Sequence, residues 1–167
     1  MFKKIALILM LIAPMSVFAQ KFGHVKSQEI VEAMPEYAKA QTDIQTMQEQ
    51  FKNEILRSRA EFNKKFADFQ QEQANLAKTI LERRQNELAQ LQEKVMQTEQ
   101  DAQIQLEQSW REMLMPIMKK VDDAIKAIGE EGGYVYIFDL NTTNIPYVSE
   151  TLSTDVTPAV KTKLGLK

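Results

Sequence analysis

EYAKAQTDIQTMQEQFKNEILRSRAEFNKKFADFQQEQANLAKTILERRQNELAQLQEKVMQTEQDAQIQLEQSWREMLM, residues 36–115, decides the fold. It contains no Gly and no Pro and is rich in Gln, Glu, Lys, Arg, Ala and Leu. A run this long without a breaker reads as one very long helix or as a helical hairpin. At ~1.5 Å per residue it would make a rod of about 120 Å, which no single globular core can enclose. Most of its surface must then meet water, a second helix or a partner. Function is expected in shape and surface.

The apolar residues keep a rhythm. Ala40, Ile44, Met47, Phe51, Ile55, Ser58, Phe62, Phe66 and Phe69 follow an eleven-residue repeat, which fits a nearly straight helix. After Asn75 a second stripe runs through Leu81, Leu88, Leu91, Val95, Ala102, Leu106 and Trp110 in a looser heptad register. Gln70, Gln71, Glu72 and Gln73 interrupt the apolar face between them. Two registers predict two arms.

Charges favour folding the chain back near residues 75–77. That register sets Lys52 against Asp101, Arg59 against Glu93, Lys65 against Glu87 and Asp68 against Arg84, and brings Ile55 to Val95 and Met47 to Leu106. One arm carries Lys52, Arg57, Arg59, Lys64 and Lys65, while the other carries Glu87, Glu93, Glu99, Asp101 and Glu107. Opposite excess selects an antiparallel hairpin over parallel pairing of like arms. Each exposed pair contributes only about 0 to 1 kcal/mol, so charge sets register and the apolar seam stabilises it.

Residues 1–19 read as a secretory leader. Lys3 and Lys4 precede the apolar run Ile5 to Ala13, and Val17, Phe18 and Ala19 supply the cleavage positions, with cleavage expected after Ala19. A membrane anchor is the competing reading, disfavoured because a comfortable span needs ~20 apolar residues. The chain has 21 Lys and Arg against 23 Asp and Glu, so no basic nucleic-acid footprint exists and no nucleic-acid partner is expected. Zero Cys excludes disulfides, thiol catalysis and thiolate metal sites.

The two chain ends carry the remaining structure. KFGHVK (residues 21–26) is a short strand candidate, with Phe22 and His24 on one face and Gly23 and Val25 on the other. Ser27 is expected to cap a short helix holding Ile30, Val31 and Met34, and Pro35 to restart the chain into the long helix. Pro116 is expected to kink the return helix, and Gly132 with Gly133 to end it. YVYIFDL (residues 134–140) is the strongest strand, Asn141 to Asn144 a turn, and Ile145 to Ser149 its expected partner strand. Thr157 with Pro158 reads as the cap and first residue of a last helix. A hairpin lets the first strand reach the later ones, and a body this small should gain stability by self-association.

The ends also carry a resemblance. KFGHVKSQEIVEAMPEY, PIMKKVDDAIKAIGEEGGYVYIFDL and TDVTPAVKTKL resemble the OmpH-like family. The resemblance implies an α+β fold: a small β-rich trimerisation body, formed by residues 20–35 and 116–167, from which a long antiparallel helical hairpin, residues 36–115, hangs as a tentacle of a jellyfish-like homotrimer. It further implies an ATP-independent periplasmic holding chaperone with unfolded outer-membrane β-barrel proteins as partners and no cofactor. The family's best-known member is strongly basic, whereas this chain has a pI near 5.6, which puts whole-surface electrostatic capture in doubt. The alternative function is a cell-envelope coiled-coil structural or adaptor protein. Outer-membrane lipid stays open as a further partner.

Client-facing candidates are Phe51, Phe62, Phe66, Phe69, Trp110, Met113, Met115 and Met118, with the basic Lys64, Lys65, Arg83 and Arg84. Each has a blander reading. The Phe spacing favours the hairpin seam, the Trp and Met cluster favours packing where arm meets body, and the cations favour a solvated face. Candidates for the body and its subunit contacts are Phe22, Val25, Ile30, Val135, Ile137 and Val148. His24 is the sole histidine and has no partners for a zinc site. The sequon Asn141-Thr142-Thr143 is better read as turn chemistry. No catalytic set can be assembled, and no enzyme activity is expected.

Overall fold

The breaker-free stretch folds as two antiparallel helices in the computed structural model, which describes residues 20–166. The expected leader, residues 1–19, lies outside the described residues. Strand β1 (Lys21–Val25) leads into the short helix α1 (Ser27–Glu32), then the descending helix α2 (Pro35–Glu72). A single 3-10 turn, Gln73–Asn75, and extended backbone at Leu76 and Ala77 reverse the chain into α3 (Lys78–Gly132). Strands β2 (Tyr134–Asp139) and β3 (Ser153–Asp155) follow, and α4 (Thr157–Lys163) ends the fold. No described helix is long and apolar enough to cross a membrane.

Two helices packed only on each other can hide just one stripe apiece. Along the arm Leu88 and Ala102 are buried, while Ile44, Met47, Phe51, Ile55, Phe62, Leu91, Val95 and Leu106 are half-buried. The eleven-residue rhythm breaks once. Lys65 occupies the half-buried position and reaches Glu87 (Nζ to Oε1, 2.5 Å), so Phe66 turns outward and is 42% exposed.

The expected charge register holds at Lys65 and Glu87 and is corrected at Arg59. Arg59 reaches past Glu93 to Glu99 (Nη2 to Oε1, 2.6 Å). Phe51 and Ile55 line one groove with Glu99, Ala102 and Leu106. Helices with different repeats slip relative to one another along their length. Glu99 sits half-buried beside the seam whereas Glu93 faces water, which leaves Glu99 the nearer partner.

At the root of the arm the sheet runs in the order β2-β1-β3, and β1 is parallel to both neighbours. Val25, Ile30, Val31, Met34, Val121, Val156 and Val160 form the buried core under it. The strand expected at Ile145 to Ser149 as the partner of β2 does not form; β2 pairs with β1, whose other edge takes β3. Parallel strands on opposite sides of β1 need a long crossover, and residues 140–152 are spent on it. Ile145, Tyr147 and Val148 lie instead over the open face of the sheet, beside Phe22, His24 and Phe138.

Helix caps differ from expectation too. Ser27 is already helical, and its hydroxyl donates to Asp139 Oδ2 (2.6 Å). Thr157 Oγ1 accepts the Lys26 amide (3.0 Å), and the Thr157 amide donates to Asp155 Oδ1 (2.8 Å). Helix α3 continues through Pro116 and ends at Gly133, whose φ of 64° is left-handed. Gly133→Ala is therefore expected to cost about 1 kcal/mol, read as a lower urea midpoint with an unchanged slope.

A register shift in β2 decides which side chains face the helices. Lys21 pairs with Tyr134 but Phe22 pairs with Tyr136, so Val135 is the extra residue. Tyr134 and Ile137 consequently pack against the core, while Tyr136 and Phe138 join Phe22 on the open face.

Candidate functional site

Large apolar residues that miss the seam stand largely in water. Leu56 on α2 and Met96, Ile104 and Met115 on α3 are all exposed, as is Phe66. Leu56 adjoins Ile55 and Met96 adjoins Val95, so each stands beside a seam residue and outside its register. Met96 is 58% and Met115 65% exposed. An arm with these side chains in water offers an apolar surface at several heights along its length.

The residues singled out from the sequence separate into two groups. Phe51, Phe62 and Phe69 are half-buried in the seam, with Phe62 stacked on Phe66 at 5.8 Å. Trp110 packs its ring on Tyr37 (5.9 Å, 59°), and Met113 and Met118 pack against the core. Met115 stands out from them, in an open groove of about 550 Å³ shared with Trp110, Leu114 and Met118 and rimmed by Arg111, Lys119 and Asp122. Lys64 and Arg83 are exposed. Lys65 is tied to Glu87, which Arg84 also approaches at 3.9 Å. That hydrogen bond raises the Lys65 pKa and lowers that of Glu87, each favouring the charged form. Sequence reasoning missed Leu56, Met96 and Ile104, and the usable signal was an apolar residue off the stripe.

In the body, Val25 and Ile30 are buried, Ile137 packs on the core, and Val135 is exposed. Phe22 and Val148 are half-buried on the open face. Phe22 stacks on Tyr136 (6.4 Å, 8°), and Tyr136 stacks on Phe138 (5.8 Å, 28°). His24 Nδ1 lies 2.9 Å from Ser153 Oγ. Asn141 Oδ1 accepts the Gln28 amide (3.1 Å), so the sequon side chain serves as a cap for α1. Among the described residues no group of His, Asp or Glu is placed to hold a metal.

With the hairpin, the parallel sheet and the two terminal helices in place, the family can be read. The model of outer membrane protein (OmpH-like) matches residues 21–164. The chain belongs to the OmpH-like family. Among solved structures, this OmpH-like chain is similar to a candidate outer membrane chaperone (OmpH-like) from Caulobacter crescentus CB15, with a TM-score of 0.72 and 14% identity. The match covers 87% of this chain and 83% of that one. At that identity the likeness shows a shared fold. No curated protein matches the chain significantly. Within this OmpH-like fold, the seam and the body place the arm's exposed residues.

Proposed function

We propose that the protein is an ATP-independent holding chaperone of the periplasm. It keeps unfolded outer-membrane β-barrel chains from aggregating in a cavity between the helical arms of a homotrimer. The observation that carries this reading is the arm itself: a two-helix rod whose Leu56, Phe66, Met96, Ile104 and Met115 remain in water. An unfolded barrel strand offers alternating apolar side chains, which many shallow contacts of this kind can hold without a defined pocket. Three linked arms raise the effective concentration of each weak contact, so holding is an avidity effect. Met, flexible and polarizable, suits partners of varied sequence. No catalytic step and no cofactor are assigned to the protein.

The acidic balance of the chain shifts weight from charge to apolar contact. Arg59, Lys65 and Arg111 are paired with Glu99, Glu87 and Glu107. Lys64, Lys78 and Arg83 are exposed in the lower arm, where they can steer an acidic segment.

The test is aggregation of an unfolded barrel protein on dilution from urea. Mature protein should suppress it at about one trimer per client, and several unrelated barrels should be held alike. No suppression at several-fold excess rejects the reading. Selective binding of one folded partner would favour an adaptor of the cell envelope.

A further inference from the structure

The chain contains nine Met and no Cys. The six described methionines occupy different environments. Met34 is buried in the core at 3% exposure, and Met47, Met113 and Met118 are half-buried. Met96 and Met115 are open to solvent along the return helix, off the seam. Met115 also stands in the groove with Trp110, Leu114 and Met118.

Two-electron oxidation of a thioether needs access of the oxidant to sulfur and no other residue. The sulfur lone pair attacks one peroxide oxygen, the O–O bond breaks, an S–O bond forms, and water leaves. Sulfur loses two electrons and the hydroperoxide gains them. The product is a polar sulfoxide in place of a flexible apolar side chain. In a chain without a thiol, exposed thioethers are the most readily oxidised groups.

We propose that Met96 and Met115 are oxidation-sensitive positions of the arms, at which a hydroperoxide turns two apolar contact points polar and weakens the hold on a client. The inference rests on the holding function proposed above. Both side chains are apolar contacts available to a partner, and neither packs in the buried core. Oxidation there removes contact surface while leaving the core untouched. Reversal takes two electrons and two protons and belongs to a methionine sulfoxide reductase.

The experiment uses the full mature chain and hydrogen peroxide. Peptide mass spectrometry over time should show one added oxygen at Met96 and at Met115 about tenfold sooner than at Met34. Circular dichroism should stay unchanged, while Trp110 emission shifts to the red as its groove becomes more polar. Treated protein should hold an unfolded barrel about tenfold more weakly. The M96L/M115L double variant, similar in volume but without sulfur at those two positions, should keep its own untreated level of holding after peroxide. Equal rates at Met34 and Met115, full holding by the oxidised protein, or equal loss in the double variant would each overturn the inference. Failure of untreated protein to hold a client removes the holding function and this consequence together; failure confined to the treated sample removes this consequence alone.

Discussion

Asp139→Ala is expected to destabilise the protein by about 3 kcal/mol at neutral pH, a large part of the stability of a small body. The Asp139 carboxylate accepts from the Ser27 hydroxyl (2.6 Å), the Ser27 amide (3.2 Å), the Asn141 amide (3.1 Å) and the Thr142 hydroxyl (2.9 Å). It thereby fastens the end of β2 to the first turn of α1, where unpaired amides favour an anion. Ser27 is buried, so removing the carboxylate leaves its donors without partners. Asp139→Asn keeps one acceptor and should fall between. Urea unfolding at pH 7 measures both, and a cost below about 1 kcal/mol for the Ala variant would show that water replaces the carboxylate freely.

The pH dependence has a definite sign. Burial raises the Asp139 pKa, but the hydrogen bonds from Ser27, Asn141 and Thr142 outweigh it and hold the carboxyl below its ordinary 3.8. Asp155, at the end of β3, behaves alike: burial raises its pKa, but the bonds from Thr157, with His24 and Lys26 nearby, outweigh that and hold it below 3.8. A lowered folded value means the native state binds fewer protons than the unfolded one. The stabilisation is complete above about pH 4 and is lost as pH falls through the lowered values. The charge-dependent part of the gap between wild type and Asp139→Ala should close over that range.

For the homotrimer proposed above, placing Asp at both Tyr136 and Phe138 is expected to reduce the solution mass from about three subunits to one. Tyr136 is 60% exposed, although stacked between Phe22 and Phe138, and Tyr147 beside them is 79% exposed. An aromatic face on a small sheet, only partly covered by Ile145, Tyr147 and Val148 and with the outer edges of β2 and β3 unpaired, is a surface that a further copy can cover. Two carboxylates there would have to be desolvated on assembly. Neither side chain belongs to the buried core, so helical circular dichroism should be retained. Light scattering that still reports the full assembly would place the subunit contacts elsewhere.

The hairpin was legible because its cause is local. Absence of Gly and Pro, an apolar stripe and a polar break at Gln70 to Gln73 act within a few residues of one another. Strand β3 was not legible. Its residues Ser153, Thr154 and Asp155 carry no strand signal and are extended because they pair with β1, more than a hundred residues away. IPYVS has the better propensity but is needed as the crossover, so topology overrode composition. The outward turn of Phe66 has the same kind of cause, since the partner that drew Lys65 inward stands on the other helix. Of the candidate surface, Met115 and Phe66 were named from the sequence. Leu56, Met96 and Ile104 were hidden because rhythm directs the eye to seam residues.

The central strand is made of residues 21–25, while its two neighbours lie at residues 134–139 and 153–155. A chain delivered amino terminus first therefore carries its middle strand for nearly the whole of its delivery before either flank arrives. The limbs can zip by neighbour contacts in the meantime, but the platform closes last, in a single late event. Copies cut short before residue 153 would leave one side of that strand bare, an open edge that complete chains do not present.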